Sequence, residues 1–338
     1  MLGEQQAAPR RHSDNVEAFE LYLKGRHLWQ LRTQSSLHAS IEYFDQAIAV
    51  DPNYALAHAG IADSLCILRV YGYVSEKEAR SKAHAAAQRA MELDPELAEA
   101  HFASALFTLY FSEDWPAGEP ALREAVRLSP RNAMFHTYLG FFLAARHRAD
   151  EAIASLSKGA ELDPFSPLVF GLYGASMNML RRYDEGVRLG ERSVEIQSDF
   201  HVGLLAVGLG SLLLGNCERA VSVLERLVVH SNKTAWWVGL LGLAYARCGR
   251  RDDAIRLRNE LAERGQREYV SPYAPLTIDV GLNDRDSAYR SLQACIDERV
   301  TGFAIEITLV SCLDPLDDEP RFQELFRRLR LVQPRPKA

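Results

Sequence analysis

Gly140, Gly174, Gly208 and Gly242 are spaced 34 residues apart, and a second column of small residues runs in step with them: Ala152, Gly186, Ala220, Ala254 and Ala288. Two small-residue columns with one fixed period imply an array of helix–turn–helix units. Such an array grows along one axis, so 338 residues need no second core. Isolated glycine inside a helix costs about 1 kcal/mol relative to alanine, so four at one phase need a packing reason. The columns sit twelve residues apart, on the first and second helix of each unit, where minimal side chains let the two backbones approach.

The period extends outward through the residues that close each unit: Pro52, Pro95, Pro130, Pro164, then Ser198 and Asn232. Asp51-Pro52, Asp94-Pro95 and Asp163-Pro164 end second helices, because the residue before proline is pushed out of helical geometry. Gly215 and Gly249 end first helices at positions open to positive φ. Nine extra residues fall near Tyr71–Glu76 and one near Ser112–Pro116, both between the helices of a pair. The register predicts an all-α, right-handed superhelix of eight pairs over 14–52, 53–95, 96–130, 131–164, 165–198, 199–232, 233–266 and 267–300. A disordered segment is expected at 1–13, a C-terminal cap at 301–331 with a helix opening at Glu319, and a frayed tail at 332–338.

Over residues 14–300 the chain resembles a tetratricopeptide repeat (TPR) protein. The run Glu17–Arg26 followed by Ala39–Ile48, and the ending Leu313–Gln323, resemble the repeat half of bacterial multidomain signalling proteins. In that group the repeats accompany an adenylate cyclase, winged-helix or serine/threonine kinase domain, often with a TolB-like segment. About 13 residues precede the first helix here, too few for any of these. The resemblance therefore implies either a stand-alone scaffold or adaptor, or a regulatory, sensory half separated from its effector.

The rest of the sequence argues against other classes. A net charge of −6 does not suit a nucleic-acid coat. No apolar run reaches the ~20 residues of a membrane helix, and the polar start has no secretory core, so a cytoplasmic location is expected. The five cysteines contain no CxxC pair and read as reduced thiols. Phosphate-loop, HExxH and GxSxG motifs are absent, and Gly208-Leu209-Gly210 lies within a helix. His58, His101 and His136 share one phase of successive first helices. Helix axes about 8–10 Å apart hold such rings too far apart for one metal, whose ligands sit ~2 Å from it. Asp252 and Asp253 complement a helix N-terminus. No enzyme activity, cofactor or metal is expected.

In repeat arrays of this kind the first helices line the concave face. The positions expected to contact a protein or peptide partner are Met134, Phe141, Leu168, Val202, Leu205, Leu209, Trp236, Leu243 and Tyr273. The set is apolar and lacks the Lys/Asn/Arg cluster with which chaperone-binding relatives hold a terminal carboxylate. Two readings stay open: an apolar groove for a helix or extended peptide, or side chains half buried between repeats or covered by the chain's own C-terminal helix.

Overall fold

The computed structural model describes residues 15–309, 312–316 and 319–331. The segments expected to be disordered or frayed, 1–13 and 332–338, lie outside these residues. The described residues form eighteen α-helices. Sixteen follow as consecutive pairs: α1 (Val16–Leu31) with α2 (Gln34–Val50), α3 (Ala55–Val70) with α4 (Glu76–Leu93), α5 (Ala98–Phe111) with α6 (Glu119–Leu128), and α7 (Ala133–Ala145) with α8 (Ala149–Leu162). Then come α9 (Pro167–Met179) with α10 (Tyr183–Ile196), α11 (His201–Leu213) with α12 (Cys217–His230), α13 (Ala235–Arg247) with α14 (Arg251–Arg264), and α15 (Tyr273–Gly281) with α16 (Arg285–Asp297). Two short helices follow, α17 (Gly302–Leu309) and α18 (Pro320–Arg328).

The small-residue columns hold the pairs together. A Cβ on Gly140 would lie 2.9 Å from the Ala152 carbonyl oxygen, and one on Gly174 would lie 2.7 Å from the Gly186 carbonyl oxygen. Both distances are closer than real Cβ atoms come, so the backbones touch where the two columns meet. Gly215 and Gly249 take φ of 80° and 79° in the inter-helix turns, a region that other residues enter at a cost.

The nine-residue excess in the second pair is distributed. Compared with α7 and α8, α3 is three residues longer and α4 four longer, and the turn between them holds the other two. The longer pair reaches across the molecule. Tyr71 packs its ring 5.4 Å from that of Trp237 on α13. Arg69 donates to the Tyr269 hydroxyl at 3.3 Å and to the Glu298 carbonyl at 3.2 Å. The second pair thus meets the seventh and eighth, and the array closes on itself.

Closure explains the composition of the inner helices. The odd-numbered helices succeed one another along the inner wall, α1 on α3, α3 on α5, α7 on α9, α9 on α11 and α13 on α15. Nearly every residue of α3, α7, α9, α11 and α13 is buried. A helix apolar all round is one covered on all sides, and Thr137 to Ala145 on α7 are all buried. The outer helices α6, α10 and α12 bury only one stripe each.

Within the stretch expected as a cap, the described helices pack apart: α17 enters the concave face, against α5, α7 and α9, while α18 packs on α16. One expectation is corrected: not all five cysteines are free. Cys217 and Cys248 form a disulfide with Cα atoms 5.5 Å apart, and Cys66, Cys295 and Cys312 are buried thiols. The bonded pair sits at the start of α12 and just past α13. A separation of 31 residues with no CxxC gave no warning that the repeat would bring them together.

Candidate partner-binding concave face

The inner wall has two mouths, and the chain treats them differently. At the first, the N-terminal ends of α7 and α9 face α1 across a cleft of about 710 Å³. Local sequence sets these helix starts. Asn132 caps α7 by accepting from the Met134 N–H at 3.0 Å, and Ser166 caps α9 by accepting from the Val169 N–H at 3.3 Å. Pro167 opens α9 where its missing N–H costs nothing.

The cleft mixes apolar and charged groups. Phe165 stands at its lip 74% exposed. Arg26 lies deeper, with Nη1 3.0 Å from Asp63 and Nη2 3.8 Å from the Met134 sulfur. Burial pushes the Asp63 carboxyl up to about 7, against the opposing pull of Arg26. Burial likewise raises the Tyr22 phenol beside it. Arg131, Glu99 and Asp163 add to the charged lining.

The second mouth, at the C-terminal ends of the same inner helices, is filled by the tail of the chain. The Phe303 ring of α17 lies 5.5 Å from Tyr110, 5.4 Å from Trp115 and 5.7 Å from Phe141, and is fully buried. Glu306, also buried, lies 3.9 Å from His147 Nε2 just past α7. Beyond α17, Asp314 accepts from Arg181 at 2.7 Å, and the Cys312 carbonyl accepts from Arg247 at 3.2 Å. Trp115 Nε1 donates to the Leu329 carbonyl at 3.2 Å. A side chain at Gly302 would run into that same carbonyl.

The nine expected partner positions divide between these surroundings. Met134 and Leu168 line the open cleft. Phe141, Leu168, Val202, Leu205 and Trp236 surround a small pocket of about 40 Å³ beside Ile307 of α17. Leu209, Leu243 and Tyr273 are buried, with Tyr273 stacked on Trp236 at 3.8 Å. Both Trp236 and Trp237 are buried. The contributions of α17 and of the Arg69–Tyr269 closure were missed. The available signal was the run Gly302-Phe303-Ala304-Ile305-Glu306-Ile307, apolar except at Glu306.

The shared-phase histidines have a local role. His58, His101 and His136 each place Nε2 2.8–3.3 Å from the carbonyl of the proline six residues earlier. Each ring ties a first helix to the preceding turn. Among the described residues no group of three or more His, Cys, Asp or Glu side chains is placed to hold a metal. No described helix is long and apolar enough to cross a membrane.

The fold is that of a tetratricopeptide-repeat solenoid. Over 168 residues the chain is 30% identical to tetratricopeptide repeat protein 37 of Xenopus laevis, a match covering 47% of this chain and 11% of that protein. Over 192 residues it is 24% identical to the transcriptional regulator HilA of Salmonella typhimurium, covering 55% of this chain and 34% of HilA. The chain thus matches about a third or less of the length of these relatives. The crystal structure of yeast Tom70 superposes with a TM-score of 0.53 at 13% identity, over 98% of this chain and 71% of that one. No family model matches the sequence.

Proposed function

We propose that this chain is a non-enzymatic interaction scaffold that takes a protein or peptide through the open mouth of its concave face. The observation that carries this reading is the 710 Å³ cleft. It is the part of the inner wall where two of the expected contacts, Met134 and Leu168, meet an exposed aromatic ring, Phe165, and a charged rim. Buried aromatic anchors ringed by polar groups are the usual source of binding energy at protein interfaces. The remaining expected contacts, Phe141, Val202, Leu205, Leu209, Trp236, Leu243 and Tyr273, serve this reading as the floor behind α17 and the stacked repeats.

The test is affinity capture with the full chain, quantified against Met134→Asp and Phe165→Ser. Both variants should lose the same partner by tenfold or more while circular dichroism stays unchanged. A partner retained by both would remove the cleft from the interface.

The match to HilA favours a second reading, that the repeats are the regulatory half of a bacterial signalling or transcriptional protein. Joining the chain to a DNA-binding domain and measuring a reporter with and without Met134→Asp tests it: the cleft variant should alter regulation. As to location, the sequence favours the cytoplasm, whereas the Cys217–Cys248 disulfide favours an oxidising compartment.

A further inference from the structure

Four observations concern what the tail does in the concave face. First, α17 stands outside the repeat: it follows the eighth pair and lies across α5, α7 and α9 with no partner helix of its own. Second, its seat adjoins the open cleft: Leu168 and Leu172 line both the cleft and the pocket beside Ile307.

Third, the fit of α17 is incomplete where Ile307 sits. A pocket of about 40 Å³ remains there, lined in part by Trp236, whose Nε1 reaches no acceptor among the described residues. Fourth, α17 carries a buried carboxylate into an apolar wall. Glu306 faces His147 at 3.9 Å. A buried charge is weak as a source of stability and is best attested as a device that fixes register.

We propose that α17 is an intramolecular stand-in for a partner's helix. The concave face accepts in trans a short apolar helix carrying a phenylalanine and, three residues on, an acid; α17 leaves when that helix docks. The phenylalanine enters the box of Tyr110, Trp115 and Phe141, and the acid meets His147. A longer polar side chain in place of Ile307 occupies the pocket and accepts from Trp236. This is helix-in-groove recognition with the groove already occupied by the chain itself. The apparent affinity of any partner is then lowered by the fraction of molecules in which α17 stays seated.

The probe is a fluorescein-labelled peptide copying residues 301–309, with two added lysines for solubility, titrated by anisotropy into the full chain. Three variants set the occupancy of the seat. Phe303→Ala and the milder Phe303→Leu loosen α17, and Ile307→Met fills the pocket and holds it. The peptide should bind Phe303→Ala at least tenfold more tightly than wild type, bind Phe303→Leu with intermediate affinity, and bind Ile307→Met more weakly than wild type. Circular dichroism identifies the folded variants; if Phe303→Ala unfolds, Phe303→Leu decides. Folded loosened variants that bind the peptide no better than wild type would make α17 permanent core and overturn the proposal. The inference rests on the scaffold reading but is decided by this titration, whereas that reading is decided by partner capture with Met134→Asp, so either can fail alone.

Discussion

The two mouths of the concave face are built from the same helices and end in opposite states. At the N-terminal ends of α7 and α9 the wall opens into a 710 Å³ cleft with Phe165 exposed. At the C-terminal ends the same helices meet Phe303 and Asp314, while Arg247 at the end of α13 holds the Cys312 carbonyl, and the wall is sealed. The repeat does not make this difference, since it places equivalent residues at each end of every inner helix. The tail makes it, by folding back over one end only. In a repeat array, exposure of the inner wall is therefore set by whatever lies outside the repeat.

The contrast is most sharply broken at its two phenylalanines. Phe303→Ala should cost about 3–5 kcal/mol, the usual loss for a buried ring, whereas Phe165→Ala should stay within about 0.5 kcal/mol as a surface change. Urea midpoints measure both. Equal losses would mean that both mouths are packed or that neither is.

The disulfide should rank next. It anchors the end of α13, one residue beyond the Arg247 that holds the tail. A closed loop of this length is worth about 3.7 kcal/mol in chain entropy. Replacing Cys217 and Cys248 with serine should lower stability by that order, and the denatured, unreduced wild type should titrate three thiols. Five titratable thiols would contradict the pairing.

Gly140→Ala should cost about 1–3 kcal/mol by overpacking, despite the better helix propensity of alanine. The new Cβ would press on the Ala152 carbonyl and the Leu156 side chain. A gain in stability instead would show that the pair relaxes freely.

The smallest effect concerns pH on the closed side, at the start of α16. Asp284 accepts from the Ser287 N–H at 3.1 Å, and this bond holds its carboxyl below the usual aspartate range. A depressed folded value means the contribution is present above the unfolded pKa and is lost as pH falls through the folded one. Wild type should therefore lose about 1 kcal/mol of capping on acidification, and Asp284→Asn, which caps without titrating, should not. Parallel acid profiles of the two proteins would remove this cap from the account.

Much of the fold was legible because it follows from a period. The glycine and alanine columns recur at 34 residues, and their backbones touch where Gly140 meets Ala152. Positive φ at Gly215 and Gly249 follows from the same register. What the sequence left open depends on contacts with no period. Arg69 and Tyr269 lie 200 residues apart, and Trp115 and Leu329 lie 214 apart. Cys217 and Cys248 are brought together by superposed turns rather than by local spacing. The concave positions were legible as inner-wall residues, but whether each faces solvent depends on α17, whose apolar run reads equally well as a cap. The histidine phase was visible too; its role, a bond to the carbonyl of a proline six residues earlier, needed the turn geometry.

The measurement closest to the central claim is amide hydrogen exchange on the full chain, comparing residues 306–309 of α17 with the inner helix α9 and with the cleft lip at 163–166. If the tail seals one mouth, the α17 amides exchange far more slowly than the lip, though faster than those of α9. Exchange of α17 as fast as that of the lip would contradict a sealed mouth.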